Sequence, residues 1–211
     1  MSLMLLQPRS STQAVNEITP IVRLWVLRFL VPLNLHSKLI KKEGFSNDFI
    51  AEKIGLTTQQ NMSEESYDPT KLRAKLRKLH QEAESDLTPA TISECLAKNI
   101  ERLHKLANLS EIDCRIIGFT VMLQTDYFLQ EASDWLGSIT STKIANALSV
   151  VLGLAESEVR ASLKGKSILA RSGLVSVDRQ HMEPMRHKLH LLSDSFADNM
   201  ISSEIEPMEL I

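Results

Sequence analysis

Gly165-Lys166-Ser167 reads like the end of a phosphate-binding loop. Such a loop runs G-x-x-x-x-G-K-[ST], and its first glycine opens the turn that lets backbone N–H groups cradle phosphates. Here that first position is Arg160, and a polar helical pattern precedes it in place of a buried strand. The segment therefore reads as a basic helix end, where Lys164 and Lys166 complement the helix dipole. The histidines are His36, His80, His104, His181, His187 and His190. His187 and His190 are three apart, which a strand would set on opposite faces, and no cysteine or carboxylate is spaced to complete a metal shell. Ser, Asp and His all occur, yet no G-x-S-x-G elbow does. The sequence thus offers no catalytic, cofactor-binding or metal-ligating residue. Cys95 and Cys114 each fall in a helical pattern and read as reduced, part-buried thiols of a cytoplasmic protein.

Charge is the next candidate chemistry. Lys71 to Leu79 concentrates five basic residues, with Lys71, Lys75 and Lys78 on one helical face and Arg73 and Arg77 on another. An anion or nucleic-acid contact is one reading. A solvated face neutralised by Glu82 and Glu84 is the other, and the neighbouring charges favour it.

The element that would position the remaining charges is a helix pair. Ile144, Ala145, Ala147, Leu148, Val151 and Leu152 form a helical apolar stripe, and Gly153-Leu154 breaks it. Ala155 to Leu163 begins a second helix, and Ala170 to Val177 reads as a helix end feeding an alternating strand. Two short helices across a glycine-containing turn, followed by a strand, follow the pattern of a winged helix-turn-helix. That module binds DNA in some proteins and protein in others. Glu156, Ser157, Glu158 and Arg160 would open its recognition helix. DNA readers present Arg, Asn, Gln or Ser there, and two glutamates would repel phosphates. Lys164, Lys166, Arg171 and Arg179 would offset that repulsion in part. The candidate partner-binding residues are therefore Glu156, Glu158, Arg160, Lys164, Lys166 and Arg171, with Lys71, Lys75 and Lys78 from the earlier helix.

Composition sets the frame. Apolar residues make up 43% of the 211 and charged ones 24%, which is enough to bury a core. Aromatics are only 5%, and Leu, Ile, Ala and Val dominate, which favours helices over a sandwich or barrel. A formal net charge of -2 argues against a chain dominated by phosphate contacts. Ile21 to Leu33 is the most apolar run, but Arg23, Arg28 and Pro32 interrupt it. It falls short of the roughly 20 residues a bilayer requires, and it reads as a core helix. No secretory signal pattern opens the chain.

Along the chain, helices are expected from Glu17 or Pro20 to about Leu30, Asp48 to Ile54, from Asp68-Pro69 through Leu79, and from Thr88-Pro89 with a stripe at Ile92, Leu96, Ile100, Leu103 and Leu106. Ser110 opens the next with Asp113 in a capping box, and Tyr127 to Leu136 follows. Thr57 to Thr70 reads as a long loop. Leu174 to Val177 and Lys188 to Leu192 are the expected wing strands, with Asp178 to His187 as the wing tip. A last helix runs from Asp194 to about Ile201, before an acidic tail. The apolar end Leu210-Ile211 reads as a cut inside a longer protein. The expected fold is mainly α: a helical domain over 1–109, then a winged-helix-like domain over 110–211 with a two-stranded β wing. Residues 1–110 carry 15 Lys and Arg against 12 Asp and Glu, whereas residues 111–211 carry 9 against 14.

Several blocks together carry a resemblance. They are Trp25 to Leu33, Gly44-Phe45, Ile50 to Leu56, Asn108 to Asp113, Glu158 to Leu163, Ala170 to Val175 and Lys188 to Ser193. Their order is similar to the region that precedes the ATPase module in a family of bacterial AAA-type ATPases. The similarity runs from about Pro20 onward and consists of short blocks, with no catalytic signature among them. It implies that the parent protein binds ATP and magnesium and hydrolyses the nucleotide, and that this segment does neither. It implies that this segment recognises a protein substrate or partner for its own downstream ATPase module; the reduced thiols and the short apolar run point to a cytoplasmic protein without membrane contact. A stand-alone winged-helix DNA-binding regulator is the alternative from another class. Steep salt dependence on duplex DNA would mark that alternative.

Overall fold

The computed structural model describes residues 18–57, 67–86, 91–193 and 195–202. Among them lie twelve helices and one two-stranded sheet. The first half holds α1 (Pro20–Leu30), α2 (His36–Leu39), α3 (Asp48–Lys53), α4 (Pro69–Ser85) and α5 (Glu94–Ala107). The second holds α6 (Glu111–Thr125), α7 (Tyr127–Asp134), α8 (Ser141–Leu152), α9 (Glu156–Ser162), α10 (Ile168–Arg171), β1 (Val175–Val177), α11 (Met185–Lys188), β2 (Leu189–Leu191) and α12 (Phe196–Ser202). No helix among the described residues is long and apolar enough to cross a membrane.

Helix α1 is central because its sequence leaves few polar positions. Thr19 caps it by accepting from the Val22 N–H, Pro20 starts it, and Val22, Trp25, Val26, Leu27, Phe29 and Leu30 are all buried. It packs against α4, α7 and α8, so it touches elements from both halves. The expected boundary at Leu109 falls in the short connection between α5 and α6, and Leu109 itself is buried. The buried apolar residues form one cluster that continues across it.

The capping signals hold where they were strongest. Asp68 accepts from the Thr70 and Lys71 N–H groups ahead of Pro69. Ser110 and Asp113 form both bonds of the capping box, at 3.1 and 2.9 Å. The helix start expected at Thr88-Pro89 lies outside the described residues, apart from its downstream end. There α5 begins at Glu94, because the Ser93 hydroxyl accepts from the Leu96 N–H and fixes the first turn. Ile92 therefore precedes the helix, and Leu106, the last residue of its expected stripe, is half exposed. Helix α7 stops at Asp134, two residues before Leu136, as the chain turns toward Gly137.

Helices α8 and α9 pack on each other, with Gly153 between them. Gly153 has φ +63° and its N–H returns to the Ser149 and Val150 carbonyls, so it closes α8 in the left-handed conformation that glycine adopts without penalty. A Cβ there would also come within 3.1 Å of the Arg28 guanidinium. Gly153→Ala should therefore cost about 1–2 kcal/mol, read as a lower urea midpoint. An unchanged midpoint would contradict this account of the turn.

Strands β1 and β2 pair antiparallel, with Val175 opposite Leu191 and Val177 opposite Leu189. Their connection differs from a projecting wing tip. Pro184 starts the single turn α11, which packs against α6, α7 and α8 and buries Met185 completely. Ile139, just ahead of α8, donates to the Glu183 carbonyl at 2.9 Å and forms an isolated antiparallel bridge. Lys188 ends α11 fully buried, and its Nζ donates to the His181 carbonyl at 2.5 Å, with Asp178 at 3.8 Å. The connection folds back because apolar Met185 and the fixed φ of Pro184 turn it onto the core. Residues 203–211 lie outside the described set, as does Asp194; α12 starts at Phe196.

Candidate partner-binding surface

The first turn of α9 carries Glu156 and Glu158, and its last turn carries Arg160. Glu156 and Arg160 are one turn apart and pair directly, with the guanidinium Nε 2.7 Å from Oε1. Asn146, on α8, donates to the other carboxylate oxygen at 3.3 Å. These bonds, the one from Arg160 foremost, hold the Glu156 carboxyl below its ordinary range. The pair thus cancels within itself, and Asn146, which sequence reasoning missed, ties it to α8. Glu158 is exposed beside it.

Beyond α9 the charge turns basic. Lys164, Lys166 and Arg171 are all exposed, around the turn that links α9 to α10 and along α10 itself. Ile168 sits between them, 41% exposed, as an apolar side chain within a cationic rim. Gly165-Lys166-Ser167 has no phosphate-loop geometry: α9 precedes it, and the Ser167 hydroxyl accepts from the Ala170 N–H as the cap of α10. Arg179 does not join this rim. Its Nη2 donates to the Leu163 carbonyl at 2.7 Å and satisfies the end of α9.

The α4 lysines do not converge with this surface. Lys71 lies 3.9 Å from Asp68, Lys78 lies 3.7 Å from Glu82, and Lys75 donates to the Leu56 carbonyl at 2.8 Å. Glu82 neutralises its neighbour as expected, whereas Glu84 turns inward to Arg28 and His80. Arg73 and Arg77 instead approach His36, whose imidazole is held below its usual value by burial first and then by the two guanidinium charges.

Cys95 and Cys114 are both free and half-buried. Burial first, and then the neighbouring Asp113 charge, push the Cys114 thiol up, which disfavours a reactive thiolate. Comparison of the chain with protein-family models, with curated proteins and with solved structures finds no match.

Proposed function

We propose that this chain is the non-catalytic recognition region of a bacterial AAA-type ATPase, cytoplasmic, which engages a protein substrate or partner through α8, α9 and α10. ATP and magnesium belong, in this reading, to the parent protein's downstream ATPase module. The α8–α9 pair, the β1–β2 hairpin and the bridge from Ile139 support reading this half as a variant of the winged helix-turn-helix. The observation that carries the choice of a protein ligand is the state of α9. Its cation, Arg160, pairs with Glu156, and Glu158 is exposed, so the helix that would read DNA presents a carboxylate with no free cation of its own. The folded-back hairpin connection adds to this, since a packed α11 cannot extend along a minor groove. Ile168 within its basic rim is the mixed apolar and charged chemistry of a protein contact.

The exposed Lys164, Lys166 and Arg171 favour the second reading, a DNA-binding regulator. Titration of a labelled DNA duplex with the chain, across about 50–200 mM salt, separates the two. A reader using these three cations would show a log–log salt slope of about -3. It would lose that slope in the variant combining Lys164→Ala, Lys166→Ala and Arg171→Ala. The protein-binding reading expects only weak binding with no difference between variant and parent chain. A steep slope that the variant abolishes would overturn it.

A further inference from the structure

An exposed aromatic cluster lies away from α9, where α3 meets α7. Phe49 and Tyr127 are 37% and 47% exposed, large values for rings, while Phe128 beneath them is buried. The Phe49 and Phe128 rings stack at 5.4 Å, and Tyr127 meets Phe128 edge-on at 5.8 Å and Phe49 at 6.2 Å. Asn47 donates to the Tyr127 hydroxyl at 3.2 Å and lies 3.4 Å from a Glu131 carboxylate oxygen, so the tyrosine is held in place at the surface. Lys53 already sits 5.4 Å from the centre of the Phe49 ring, which shows that this cluster accepts a cation over a π face. Glu131 on α7 is tied to the cluster through Asn47, and Asp48 and Glu52 flank Phe49 in sequence on α3, against the cation Lys53.

We infer that the Phe49–Tyr127 face docks a basic, arginine- or lysine-bearing segment of a partner protein. The uncovered tyrosine ring supplies the π face, Glu131 supplies the countercharge, and buried Phe128 packs against both Tyr127 and Phe49, so that little side-chain freedom is lost on binding. Placement of a guanidinium over Tyr127 brings it toward the carboxylate one helical turn along the same face, at Glu131. This inference does not rest on the proposed function of α9 and α10.

The test is titration of fluorescein-labelled hexa-arginine with the full chain, followed by anisotropy, with hexa-glutamate as the control. Tyr127→Ala should weaken hexa-arginine binding about three- to fivefold, and Tyr127→Phe should leave it within about twofold. Glu131→Gln should weaken it to a similar degree, and carries the test if Tyr127→Ala does not fold by circular dichroism. Hexa-glutamate should not bind at this face. Equal hexa-arginine affinity for the parent chain and both weakening variants would place the contact elsewhere and overturn the inference. So would an absence of binding to the parent chain.

Discussion

Phe119→Ala is expected to destabilise the entire chain by about 3–5 kcal/mol. Phe119 lies on α6 with no solvent exposure, and its ring meets the edge of Trp25 on α1 at 5.2 Å. These two residues stand on opposite sides of Leu109, so the contact is one of those that join the halves into one core. Truncation to alanine removes the ring's buried surface and leaves a cavity that the surrounding core closes only in part. For a chain of this length the loss corresponds to a fall of roughly 6–20 °C in Tm. Tryptophan fluorescence and far-ultraviolet circular dichroism should follow one shared, lowered transition. Two separated transitions, with only one of them shifted, would show that the halves fold independently.

Arg28→Ala carries the second large effect, about 2–3 kcal/mol. The Arg28 side chain is mostly buried, and its guanidinium makes three bonds at once. Nε and Nη2 hold both oxygens of Glu84 at 2.6 and 2.8 Å, and Nη1 donates to the Val151 carbonyl at 2.8 Å. It therefore ties α1 to α4 and to the end of α8, where Val151 has no partner further along its own helix. Glu84 is 36% exposed, so solvent screens the ion pair and the carbonyl bond carries much of the loss. The same contact sets a pH dependence. Arg28 foremost, against opposing desolvation, lowers the Glu84 carboxyl from its ordinary 4.5. A carboxyl lowered in the folded state stabilises the fold above that ordinary value and loses its contribution as pH falls through the depressed one. Urea midpoints should therefore drop more steeply between about pH 5 and pH 3 for the parent chain than for Glu84→Gln. Parallel curves for the two would contradict the assigned pairing.

The local part of this architecture was legible in the residues. Asp68-Pro69, the Ser110/Asp113 box and Gly153 each act within one turn of chain, and the structure places them as the sequence predicts. The same holds for the helix pair α8–α9 and the hairpin, because their apolar spacing is periodic over a few residues. What was not legible depends on residues far apart. Arg28 finds its partners 56 and 123 positions away, and the Phe49–Tyr127 cluster joins α3 to α7. Lys188 reads as the start of a wing strand in sequence, whereas it ends α11, and the folded-back connection buries it against His181 and Asp178. For the candidate surface, the charged residues of α9 and α10 were legible one by one. The cancellation of Glu156 by Arg160 follows from their i, i+4 spacing, whereas the bond from Asn146 that ties the pair to α8 depends on the packing of the two helices and was not legible.

The claim that this chain serves as the recognition region of an AAA-type ATPase is tested most directly by the open reading frame beyond codon 211. A buried-strand pattern followed by G-x-x-x-x-G-K-[ST] within about a hundred codons is the result expected. A stop codon directly after Ile211 would contradict the claim and leave the DNA-binding regulator as the better reading of α8, α9 and α10.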